Sequence, residues 1–168
     1  MVAERCRLEC RLSLCLAALF AVLVPAQASA ATCGTALNPL SVSATGVNFG
    51  TYEPSSQSAT EANGTVRLAC DLSVDLLPAF IVGLSSGAAS QFSPRTMVSG
   101  ASRLFYDLYT TPSHTSVWGD GTSDTETPSY DGLLVLGHVE FTIHGAAPPG
   151  QFVAAGAYSD TIIVTIEY

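Results

Sequence analysis

The sequence predicts an all-β protein, a sandwich or barrel of short strands. Three observations carry that expectation. Short runs of Val, Ile, Leu, Phe and Tyr recur along the chain, separated by Gly, Pro, Ser and Asp, which is the rhythm of strands and turns. No internal repeat, heptad or long helical period interrupts them. The chain closes on YSDTIIVTIEY, where Tyr158, Ile162, Val164, Ile166 and Tyr168 alternate with Ser159, Thr161, Ile163, Thr165 and Glu167. Such a period of two describes a strand with one dry face and one wet face.

Residues 1–30 stand apart from this pattern. Arg5, Arg7 and Arg11 precede an apolar run from Leu12 to Val24, and Ala28-Ser29-Ala30 closes it. Positive flank, short apolar core and small-x-small end predict a secretory signal peptide cleaved after Ala30. The run is too short for a spanning helix, and no second stretch approaches that length. Cleavage would leave one domain, residues 31–168, with enough chain for a core. It would also move the net charge from −8 to −9, because Arg5, Arg7 and Arg11 leave with Glu4 and Glu9. The chain contains no lysine. Such a charge opposes binding to nucleic acid or anionic membrane.

Cys6, Cys10 and Cys15 would leave with the signal, and Cys33 and Cys70 would remain. An even pair in an oxidising compartment predicts a disulfide. The chain-entropy account puts a loop of that size at roughly 4 kcal/mol.

The strands are expected in this order. Residues 40–50 place Val42 and Ala44 in one phase and Val47 and Phe49 in the other, with a bulge or bend at Thr45-Gly46. In residues 64–72, Val66, Leu68, Cys70 and Leu72 point one way, Arg67 and Asp71 the other. Residues 79–85 and 103–109 form the third and fourth strands, and 133–145 a long fifth, bent near Gly137. Residues 158–168 form the last. Residues 85–102 and 110–132 read as loops, rich in Gly, Ser, Thr, Pro and Asp. Pro148-Pro149-Gly150 marks a tight crossing.

Six main strands fall short of the seven of an immunoglobulin-like sandwich. The shortfall sits at the final strand, whose apolar face would lie beside a gap. Unprotected edges of that kind recruit a strand, including one donated by another protein.

The stretches VSATGVNFGTYEP (42–54), GTVRLAC (64–70), SPRTM (93–97), LFYDLYT (104–110), VWGDGT (117–122) and PPGQFVAAGAYSDTIIVTIEY (148–168) follow in order. Together they resemble the spore coat protein U domain family, which includes subunits of archaic, Csu-type chaperone–usher pili. The resemblance implies an incomplete immunoglobulin-like β-sandwich lacking its final strand. It also implies three partners: a periplasmic pilus chaperone, an outer-membrane usher and a neighbouring pilus subunit. The acceptor groove would be walled by Val42, Val47, Phe49, Tyr158, Ile162, Val164, Ile166 and Tyr168. Family members that polymerise carry a donor segment before the first cysteine. Here only Ala31 and Thr32 would precede Cys33, a span of about 7 Å. The expectation is a subunit that accepts a strand without giving one, placed at the pilus tip.

Other residues are candidate sites. Leu76, Leu77, Leu133 and Leu134 lie in apolar connections and are candidate adhesive loops. Arg95 and Trp118 are candidate ligand contacts, against a loop anchor for the one and a plug at the sandwich end for the other. His114, His138 and His144 fit no metal spacing, and no nucleophile motif is present. No catalysis, cofactor or metal is expected. The alternatives to a pilus subunit are a non-fibrous extracellular coat or matrix protein and a small carbohydrate-binding module.

Overall fold

The computed structural model describes residues 39–70, 75–76, 79–131, 133–134 and 138–167. Ten strands follow in chain order. They are β1 (Leu40–Thr45), β2 (Thr60–Cys70), β3 (Asp75–Leu76), β4 (Phe80–Leu84) and β5 (Arg95–Ser99), then β6 (Ser102–Tyr109), β7 (Ser129–Tyr130), β8 (Leu133–Leu134), β9 (His138–Ala147) and β10 (Val164–Glu167). Among the described residues there is no helix. One antiparallel sheet has the order β1-β2-β9-β6-β5, and a second has β10-β4-β7. Val66 and Leu68 from the first sheet and Phe80, Val82 and Leu84 from the second are fully buried. Their burial makes the fold an immunoglobulin-like sandwich of two sheets around one core.

The longest strands, β2 and β9, pair from Thr60↔Ala147 to Ala69↔His138. Alternation sets their faces: Val66 and Leu68 are buried and Arg67 is exposed. β2 begins at Thr60, earlier than the predicted Gly64, because the polar segment Glu61–Asn63 pairs with the buried end of β9. The predicted fifth strand corresponds to β8 and β9, and residues 135–137 lie outside the described residues.

Three expectations need correction, the first being residues 110–132, which are not all loop because β7 pairs there with β4. Residues 85–102 are not all loop, since Arg95–Ser99 forms β5 and pairs with β6 through a turn at Gly100. Its Arg, Thr and Ser residues hid an inward-facing strand. The terminal strand is also shorter than 158–168, for only Val164–Glu167 pairs with β4. Upstream, Ser159 bridges to Val98 on the other sheet. The segment therefore changes sheets partway along, which a period of two cannot reveal.

The end of the sandwich is held by a buried polar cluster. Arg95 is 0% exposed. Its Nε donates to Ser85 O at 3.1 Å, Nη1 to Phe92 O at 3.2 Å and Nη2 to Trp118 O at 2.6 Å. Trp118, also 0% exposed, donates Nε1–H to Val82 O at 2.8 Å. Asp107 accepts from Ser93 Oγ at 3.0 Å and from the Arg95 backbone N–H at 3.4 Å. Tyr106 donates its hydroxyl to Asp160 Oδ2 at 2.7 Å. Burial lowers the Arg95 pKa, against attraction from Tyr106, Asp107 and Asp160. It raises those of Tyr106 and Asp107.

Two predictions follow from this cluster. Arg95→Met leaves three interior carbonyls without a donor and should lower stability by roughly 3–5 kcal/mol in urea unfolding. A loss below about 1 kcal/mol would mean the guanidinium is dispensable. Asp107 binds its proton more tightly folded than unfolded, so it opposes folding more as pH rises through its unfolded pKa toward its folded one. Between pH 7 and 4, wild type should therefore gain stability relative to Asp107→Asn. A pH-independent difference between the two proteins would refute that assignment.

Candidate functional site

Where β1 ends, the chain leaves the first sheet and crosses its face, as the phase switch at Thr45-Gly46 predicts. Two glycines make room. A Cβ at Gly64 would lie 2.6 Å from Thr45 O and 3.0 Å from Val47 Cγ2. At Gly145 it would lie 2.6 Å from Val47 Cγ1 and 3.0 Å from Phe49 Cζ. Val47 and Phe49 thus seat against bare backbone, and the Phe49 ring meets Tyr106 edge-on at 5.8 Å. Residues 46–52 join no strand among the described residues and make no backbone–backbone hydrogen bond to another described segment.

Facing this wall is the segment 158–167. Its odd-numbered residues are committed to neighbours. Ser159 exchanges backbone bonds with Val98 at 2.9 and 3.1 Å, and Ile163 O accepts from Ser85 N at 3.0 Å. On β4, Val82 N and Leu84 N donate the other way, to Pro128 O and Gly119 O. Antiparallel alternation then assigns the β4 bonds to Thr165 and Glu167. It follows that Ile162, Val164 and Ile166 turn their N–H and C=O groups toward the opposite edge, where no described strand lies. Their side chains pack against the core, whereas Ile163, 65% exposed, faces out.

Between the two walls the core is open. An inner cavity of about 400 Å³ is bounded by Val47, Phe49, Ile162 and Val164 at the walls and by Leu84, Met97, Leu108 and Ile143 beneath. An outer cavity of about 750 Å³ continues it between residues 46–54 and 153–158. The two share Val47, Phe49, Met97 and Tyr158. Tyr52 pins the outer end, accepting from Gln151 N at 2.9 Å and donating to Pro148 O at 2.6 Å. The successive strand pairings run the two walls antiparallel to each other. The seam thus has the shape of one missing strand.

Val47, Phe49, Tyr158, Ile162 and Val164, five of the residues expected to wall an acceptor groove, line the inner cavity. Val42 and Ile166 continue the walls beyond it, two residues from Ala44 and Val164. Val42 pairs with the buried Leu68, so the two share a face. Yet Val42 is 47% exposed, apolar and uncovered on the inner side. Tyr168 lies outside the described residues. So do Leu77 and Cys33, while Cys70 ends β2. Leu76 and Leu133 are brought opposite each other by the β3–β8 pairing, with Leu134 opposite Asp75.

Arg95 and Trp118 are corrected as ligand contacts. Both are fully buried, their donors end on backbone carbonyls, and neither side chain can meet a solute. Asp160, Tyr106, Gly64 and Gly145 escaped the sequence reading. Asp160 falls in the apolar phase of the last segment, and a carboxylate at an inward position was the available signal for it. His144 bonds Asn63 at 3.1 Å and His114 approaches Glu61 at 3.6 Å. Among the described residues no group of three His, Cys, Asp or Glu could hold a metal.

A family model described as Spore Coat Protein U domain matches residues 17–165. The chain is 33% identical over 132 residues to Protein U of Myxococcus xanthus, covering 73% of this chain and 71% of that protein. In fold it is similar to a chain of the CsuC-CsuE chaperone–tip adhesion subunit pre-assembly complex from archaic chaperone-usher Csu pili of Acinetobacter baumannii. The TM-score is 0.53 at 21% identity, covering 78% of this chain and 40% of that one. This chain therefore spans less than half the length of that structural relative. The chain belongs to the Spore Coat Protein U domain family.

Proposed function

We propose that the chain is a strand-accepting subunit of an archaic chaperone–usher pilus, without catalytic activity. The observation that carries this reading is the seam. Ile162 and Val164 border an uncovered apolar cavity, and with Ile166 they offer backbone groups that have no partner strand among the described residues. Unpaired edges template strand addition, and pairing plus alternate side-chain insertion is a known mode of strand recognition. A periplasmic chaperone holds the seam first. A neighbouring subunit's strand then replaces it at an outer-membrane usher. The structural relative from a chaperone–tip subunit complex supports the chaperone step.

The same proposal carries the finer expectations. Residues 1–30 direct export and are removed, and the protein ends on the cell surface. Cys33 and Cys70 form the disulfide, supported by Cys70 being disulfide-bonded. The protein stands at the pilus tip, and the paired segments at Leu76 and Leu133, with Leu77 and Leu134 beside them, form its adhesive end. The second reading, a non-fibrous coat protein, draws on the family's own description.

Co-expression with the periplasmic chaperone tests the reading. The two should copurify in equal amount. Ile162→Asp and Val164→Asp should abolish copurification, because each places a charge in the seam, and Ile163→Asp should preserve it. Equal capture of all three variants would remove the seam from the interaction. Gly145→Val should push Val47 and Phe49 off the sheet. Overpacking of this kind lowers stability by about 1–3 kcal/mol, and chaperone capture should fall with it in the same assay.

A further inference from the structure

One acidic residue lines the seam. Asp160 lies in the inward phase of residues 158–166, one step past Tyr158, and borders the inner cavity beside Tyr106. Its Oδ1 accepts the backbone N–H groups of Ala88 at 2.8 Å and Thr161 at 2.7 Å. Its Oδ2 accepts one bond, from Tyr106 at 2.7 Å. A carboxylate oxygen has room for two, so Oδ2 retains an acceptor position. No Lys, Arg or His lines either cavity. Arg95 attracts Asp160 through the interior, but its three bonded nitrogens end on carbonyls. The neighbouring inward positions, Tyr158 and Ile162, offer aromatic and aliphatic surface.

We infer that the strand filling this seam carries a hydrogen-bond-donating or cationic side chain at the single inward position level with Asp160, with apolar side chains at the inward positions on either side. The inference rests on the strand-acceptor reading and names the chemistry of the strand it takes. Seating a strand removes water from Asp160. Asp160 keeps its three bonds to Ala88, Thr161 and Tyr106, but the remaining acceptor position loses water, which costs free energy in a dry site, and a charge-assisted hydrogen bond from the strand offsets that loss. The neighbouring inward positions lie about 7 Å away along the strand, so they do not share the requirement. The chain's net charge of −8 and lack of lysine add a longer-range preference for a cation-bearing partner.

Thirteen-residue peptides of alternating valine and serine provide the probe, with binding to the purified protein followed by fluorescence anisotropy. One central inward valine is replaced by threonine or by lysine. Because the repeat can slide, a single replacement finds its own register. Each should bind roughly tenfold tighter than the all-valine parent. Two lysines four residues apart cannot both align and should bind more weakly than one. The lysine advantage should shrink in 0.5 M salt and disappear in Asp160→Asn, while the threonine advantage persists. Should Asp160→Asn fail to fold, the salt dependence and the double-lysine peptide decide the matter on wild type. Tighter binding of the parent than of every substituted peptide overturns the Asp160 requirement and leaves the strand-acceptor reading standing. Failure of all peptides, the parent included, overturns both.

Discussion

The sandwich is organised by a buried cation. Arg95 has exchanged water for three backbone carbonyls, and those carbonyls belong to two connections: Ser85 and Phe92 near the two ends of the β4–β5 connection, and Trp118 in the long crossing from β6 to β7. A guanidinium in the interior is tolerated only when its donors are occupied. Each of these connections is therefore held in one place by the same side chain. Trp118, so placed, fills the end of the core and bonds back to β4 through Val82 O. Asp107 ties the approach to β5 onto β6 through Ser93 and the Arg95 amide.

The rigid end determines one wall of the seam. Tyr106, beside Asp107 on β6, holds Asp160, and Asp160 in turn takes the Ala88 amide. Residues 158–163 are thereby fastened to both sheets before the chain joins β4. The opposite wall is fastened differently, by close contact of Val47 and Phe49 with two glycine positions. One wall stands on hydrogen bonds and the other on shape. Between them lies a width that neither sheet closes, floored by residues as apolar as any in the core. A domain that leaves such a floor uncovered forgoes hydrophobic stabilisation.

The quoted segments SPRTM, LFYDLYT, VWGDGT and the terminal YSDT look unrelated along the chain. They meet in the interior through Ser93, Arg95, Tyr106, Asp107, Trp118 and Asp160. Such convergence was illegible beforehand because polar residues in a loop-like composition give no period to read. β5 was missed for the same reason. Its inward residues, Arg95 and Thr96, are buried by hydrogen bonding and not by apolarity. For Arg95 and Trp118 the sequence leaves both an anchor or plug and a ligand contact open, and only burial distinguishes the two. The apolar face of the last segment is legible, since alternation of Ile162, Val164 and Ile166 depends only on the pleat.

The amino-acid sequence by itself determined that the protein is all-β, where β1, β2, β4, β6 and β9 lie, and that the terminal segment has one apolar face. Those properties follow from local periodicity and turn chemistry, which need no partner to be expressed. The tertiary structure decided that residues 158–167 change sheets partway, that Gly64 and Gly145 admit the crossing wall, and that a carboxylate stands inside the seam. These depend on which distant backbone groups come within about 3 Å of one another. Such proximity is a property of the packed chain, and no window of sequence contains it.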